Sequence, residues 1–147
     1  MIVFSIHIEP EPQKQTRFRN YKGRIITYNP SQSYINHIIW QIKAYAPKEP
    51  LSGSIELTLG FFLPIPKSTS KVKRVQMING KIMHVKRPDI DNLAYAVTNA
   101  CKGIIYVDDS QIIRLTAQKM YSEEPRIVVK VRELADTVFN FNLGEVC

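Results

Sequence analysis

The sequence predicts a single-domain α/β (α+β) fold: a mixed β-sheet with two main helices packed on one face and its other face turned to solvent. Three observations predict it. Strand-like and helix-like hydrophobic periods alternate along the chain, Pro, Gly and Asn separate them, and 147 residues at 44% hydrophobic content suffice for one core but not two.

Residues 2–8 are rich in β-branched side chains and end at Glu9-Pro10-Glu11-Pro12, which marks a strand. No cationic region precedes this apolar stretch, so it fits neither a signal peptide nor a membrane helix, and a cytoplasmic protein without membrane contact is expected. A basic loop follows. Ser31 stands where it can cap a helix over about 33–45, in which Ile35, Ile38, Ile39 and Ile42 recur at helical spacing before Pro47 and Pro50. Trp40, on that helix, is expected in the core or at a dimer contact. Ile55, Leu57, Leu59, Phe61 and Leu63 alternate as one apolar strand face, stopped by Pro64 and Pro66. Asn79-Gly80, between residues 75–78 and 81–85, has the composition of a two-residue hairpin turn. A second helix is expected from Asp91 or Asn92, with Leu93, Ala96, Val97, Ala100 and Cys101 as its buried stripe and Gly103 as a left-handed cap. Ile113, Leu115 and Ala117 alternate with polar residues, and residues 126–134 supply a further strand after Glu123-Glu124-Pro125.

The domain is therefore expected over residues 1–134. Residues 135–147 form a tail without clear period, either loose or a packing arm. Cys101 reads as a small core residue and Cys147 as a free thiol; the two suggest neither a zinc motif nor a disulfide framework. His7, His37 and His84 are isolated and are expected to pack or lie at the surface.

Charge carries the functional signal. The net charge is +7, and no acid lies between Gln13 and Lys48 or between Leu57 and Pro88. Such a balance favours an anionic macromolecular partner. Four of the five aspartates, in contrast, fall within twenty-one residues, in Asp89-Ile90-Asp91 and Asp108-Asp109. Carboxylates grouped this closely repel one another unless a cation compensates. Taken singly, the first pair has an ordinary explanation as a helix cap and the second as a turn. Together, in a basic chain, they point to a hard divalent cation such as magnesium, with manganese as substitute, and a helix between the pairs is expected to return the second beside the first. The cations Lys14, Arg17, Arg19, Lys71, Lys73, Arg74, Lys86 and Arg87 are expected to contact the phosphates of such a partner, which the family resemblance given below implies is DNA. Phe18, Tyr21 and Tyr28 interleave them and either stack on unpaired bases or anchor the loop.

Lys86-Arg87-Pro88-Asp89-Ile90-Asp91-Asn92-Leu93, followed by Gly103-Ile104-Ile105-Tyr106-Val107-Asp108-Asp109-Ser110-Gln111-Ile112, resembles the signature of the RusA family of Holliday junction resolvases. The early basic run is similar to that of phage and prophage members, and the resemblance covers about residues 2–134. It implies a RusA-like fold and a homodimeric, magnesium-dependent endonuclease that cuts four-way DNA junctions in two symmetric strands. It places the catalytic acids at Asp89, Asp91 and Asp109, all three metal ligands, with Asp108 as an adjacent metal-site acid. Two positions depart from the pattern: Tyr95 stands where the family usually has a lysine, and Asn99 where it often has an acid. Lys86, Arg87 or a loop cation is expected to replace the missing charge. The competing readings are a noncatalytic junction- or nucleic-acid-binding protein and a metal-dependent nuclease for another substrate shape.

Overall fold

The computed structural model describes residues 1–135; the tail beyond them, with Cys147, lies outside the described residues. β4 (Ser54–Pro64) organises the sheet, because its residues alternate strictly and Ile55, Leu57, Leu59, Phe61 and Leu63 are all buried on one face. β6 (Arg126–Leu134) pairs with it antiparallel, and β5 (Ile112–Ser122) pairs parallel on the other side. β1 (Ile2–Ile6) joins β6 antiparallel, giving the order β1-β6-β4-β5. A separate two-stranded ribbon is formed by β2 (Arg17–Tyr21) and β3 (Arg24–Tyr28).

Two helices cover the apolar face of the sheet. α1 (Gln32–Lys43) contributes Ile38 and Ile42 to the core, and α3 (Ile90–Cys101) contributes Leu93, Ala94, Val97, Ala100 and Cys101. The opposite face is open and carries Thr58, Gly60, Phe62, Gln118 and Met120. This is the expected α+β architecture. Among the described residues no helix is long and apolar enough to cross a membrane.

Four local expectations are corrected. Asn79-Gly80 ends a helix, α2 (Lys71–Ile78), rather than turning a hairpin. A two-residue hairpin turn of this type needs positive φ at both residues, whereas Asn79 has φ −81° and Gly80 alone is left-handed at +74°. Gly80 N–H bonds Met77 O and Lys81 N–H bonds Gln76 O, which satisfies carbonyls at the helix end. The true tight hairpin lies in the stretch read as a basic loop, where Lys22 (φ 48°) and Gly23 (φ 76°) connect β2 to β3. Ser31 precedes α1 but makes no side-chain cap; its buried hydroxyl accepts the Lys14 amide at 2.8 Å and so fastens the root of the ribbon. Trp40 is no core residue, being 74% exposed.

Candidate acidic site and nucleic-acid interface

α3 has an aspartate pair at each end. Asp89 is the residue before the helix, in extended conformation, and its carboxylate makes no capping hydrogen bond. The cap explanation for this acid is therefore not used. Asp91 lies in the first turn, where unpaired amides and the helix dipole favour negative charge. Lys119 of β5 sets this end in place: its ammonium donates to the carbonyls of Lys86 at 2.7 Å and Pro88 at 3.0 Å. An open cleft here is lined by Glu9, Glu11, Arg87, Asp89 and Asn92. Tyr34 accepts the Glu11 amide at 2.8 Å, and burial pushes the phenol up to about 12.

The second pair sits at the other end of the helix. Lys102, the residue that follows α3, places its ammonium 2.5 Å from Asp108 and 3.4 Å from Asp109. Asp108 also accepts the Ser110 amide and, with Gln111, caps the 3₁₀ turn of Asp109–Gln111. The Gln111 amide then donates to Leu51 O and Gly53 O at 3.0 and 2.8 Å, tying this turn to the entry of β4. Lys102 first, and Ser110 next, hold the Asp108 carboxyl down at about 2, while the same acids push the Lys102 ammonium up. Beneath, Tyr106 is fully buried, donates to Thr98 O at 2.8 Å, and has its phenol pushed well up, chiefly by burial.

The expectation that the helix returns Asp108-Asp109 beside Asp89 and Asp91 is not met within one protomer. Twelve helical residues separate the pairs, a length of about 18 Å. β5 confirms the spacing independently: it starts next to the 3₁₀ turn, and Lys119, seven residues along at ~3.3 Å each, reaches Pro88. Among the described residues no group of three or more His, Cys, Asp or Glu side chains is close enough to hold a metal ion. The donor set is of the hard-oxygen kind, but one chain alone offers it as two separated pairs, which does not fit a three-carboxylate cation site.

The predicted DNA-binding cations occupy three places. Lys14 precedes the ribbon, and Arg17 and Arg19 share one ribbon face, opposite Tyr28 and Ile26. Lys71, Lys73 and Arg74 are on α2, where Arg74 pairs with Glu123 at 3.6 Å. Lys86 and Arg87 lead into Asp89. Phe18, Tyr21 and Tyr28 are exposed on the ribbon and do not anchor it to the core. Tyr95 is 55% exposed midway along α3, and Asn99 donates to Gln13 at 3.3 Å, binding the segment before the ribbon to the helix. Lys102, Lys119, Gln111 and the acids Glu9 and Glu11 were not singled out from sequence. Only Gln111 carried a signal, standing three residues after an Asp in the pattern of a capping box.

The family model of the endodeoxyribonuclease RusA matches residues 7–132, which span both aspartate pairs. The chain belongs to the RusA endodeoxyribonuclease family. Among relatives of this RusA-family chain, protein YqaN of Bacillus subtilis (strain 168) is 30% identical over 138 residues, covering 91% of the chain and 97% of the relative. The crossover junction endodeoxyribonuclease rusA of Lactococcus phage r1t is 28% identical over 134 residues, covering 89% and 95%. RusA-family nucleases are generally dependent on a divalent metal.

Proposed function

We propose that this chain is a structure-selective endodeoxyribonuclease that resolves four-way DNA junctions as a homodimer, cutting two symmetric strands with magnesium, or manganese in its place. The family match over residues 7–132 carries the reading, and the phage relative's name supplies the substrate shape. A divalent ion bound there would supply water activation and neutralise charge on the phosphoryl oxygens. The residues that would hold it are Asp89 and Asp91 at one end of α3 and Asp109, with Asp108 beside it, at the other, a split that two protomers of the homodimer rather than one chain would have to close.

The rest of the chemistry belongs to the protein's own groups. Lys119 holds the joint that presents Asp89. Lys86 and Arg87 precede the Pro88-Asp89 step and draw the scissile phosphate toward the carboxylates. The ribbon and α2 bring further cations to the backbone and give affinity with little base information. Phe18, exposed on the ribbon, offers a face on which an unpaired junction base stacks. Residues 1–134 are the working domain.

A labelled four-way junction and a matched duplex, each incubated with magnesium or chelator, test the reading. Paired, metal-dependent nicks confined to the junction are expected. Asp91→Asn should abolish them while preserving or strengthening binding, because it removes negative charge near the phosphate. Binding without cleavage in any metal would favour a noncatalytic junction binder, and equal cutting of the duplex would remove the junction assignment.

A further inference from the structure

The two faces of the β2–β3 ribbon are chemically unlike. In an antiparallel pair, directly opposed residues point to the same side and successive residues to opposite sides. The register therefore puts Arg17 with Tyr28, Arg19 with Ile26, and Tyr21 with Arg24 on one face. The other face carries Phe18 with Thr27 and Asn20 with Ile25, and no charge. All three arginines of the two strands thus share a face, and each is opposed by an aromatic or apolar side chain. Arg19, Tyr21, Ile26 and Tyr28 line a groove of about 440 Å³ on that face. Lys22, at the turn, adds a cation 5.5 Å over the Tyr21 ring. The root is tied on both strands, since the Lys14 amide donates to the Ser31 hydroxyl at 2.8 Å and the Ser31 amide to the Asn29 side chain at 2.9 Å.

Each row of the arginine face joins one guanidinium to one apolar or aromatic side chain, which suits one phosphate and one base. Rows on a strand face recur every second residue, about 6.8 Å apart. Nucleotides in a stacked strand advance only about 3.4 Å each. A strand that lays a base on every row is therefore unstacked to twice its helical rise. Duplex DNA does not suit the face, because its base planes are hidden inside the stack and only its phosphates would be met. Charge selects a polyanion over a second copy of the ribbon: no acid lies between Gln13 and Lys48, so two such faces repel each other.

We propose that the arginine face of the ribbon is a groove for an unpaired DNA strand, one nucleotide per row, with bases on Tyr28, Ile26 and Tyr21 and phosphates on Arg17, Arg19 and Arg24. The inference rests on DNA as the substrate but not on its cleavage. It gives the protein a preference for branches with an open strand over closed duplex. Phe18, on the opposite face, is left for a base of another strand, so the ribbon stands between two strands at the branch.

Fluorescence anisotropy of a labelled oligothymidine and of a matched hairpin duplex, each titrated with the full chain in chelator, tests the groove. The single strand should be held more tightly than the duplex at equal salt. Tyr28→Ala should weaken single-strand binding on the order of tenfold and leave duplex binding unchanged, while Tyr28→Phe, which keeps the ring, retains the wild-type affinity. Ile25→Ala, on the uncharged face, should change neither. All these side chains are exposed, so each variant should melt at the wild-type temperature. An oligonucleotide carrying 5-iodouracil should cross-link to Tyr21 or Tyr28 on irradiation. Equal affinity for both DNAs, equal weakening of both by Tyr28→Ala, a Tyr28→Phe chain as weak as Tyr28→Ala, or cross-links that fall only on other residues would each overturn the proposal. So would a fall in sedimentation mass with Tyr28→Ala, which would make the face a contact between copies. If the single strand is held as described but no junction is cut, the groove stands and the nuclease reading falls. If junctions are cut and the single strand is held no better than duplex, the groove falls and that reading stands.

Discussion

At the residue scale the decisive groups are two lysines reached only through the fold. Lys102 holds Asp108 down at about 2. Because the folded value is depressed, the pair's contribution to stability is complete above the unfolded aspartate value of ~3.9 and is lost as pH falls through about 2. A carbon-13 titration of the Asp108 carboxyl should give that low midpoint, and Lys102→Met should return it toward the ordinary aspartate range. Lys119 acts at the other end. Lys119→Met frees the carbonyls of Lys86 and Pro88, so cleavage should fall on the order of tenfold, equivalent to ~1.4 kcal/mol of lost positioning, with junction affinity nearly unchanged. Separate measurements of single-turnover rate and binding check it. Both aspartate pairs were legible in the sequence because their spacing is local. The lysines were not: Lys119 and Pro88 are 31 residues apart, and Lys102 stands beside a glycine whose local signal is only that of a helix end.

The elements show where local chemistry decides and where it is ambiguous. β4 and α3 were legible because their apolar periods, two and 3.6, coincide with burial. Asn-Gly was ambiguous because a left-handed glycine serves a hairpin and a helix end equally well. What settles it is Ser70, whose hydroxyl accepts the Lys73 amide and starts α2 eight residues before Asn79. Ser70→Ala should cost ~1 kcal/mol, and Gly80→Ala about as much through its left-handed φ, while Asn79→Ala, at an ordinary φ, should cost little. Hydrogen exchange along α2 would register these losses. The ribbon was hidden by its own composition: exposed on both faces, it has no alternation to read.

For the whole molecule, stability and DNA affinity separate. The core is one cluster between the sheet and α1 with α3, so Phe61→Ala should cost about 3–5 kcal/mol in urea denaturation. The net charge of +7 acts outside it. Arg19→Ala should leave stability unchanged and lower the slope of log affinity against log salt by about one unit, if that residue meets one phosphate. Overall architecture was legible because hydrophobic pattern sets it, whereas the separation of the acids depended on the length of α3 and the direction of β5, which pattern alone does not orient.

The ribbon's lack of burial has one more consequence. All five residues of β2 and all five of β3 are exposed, and the base is fastened by the Lys14 amide on Ser31. Its sequence is thus released from the demands of folding and, in the proposed DNA-binding role, can drift with the DNA it would meet. Residues 15–28 are in that sense a cassette: a chimera carrying a relative's ribbon should melt at the parent temperature while adopting the donor's choice of substrate.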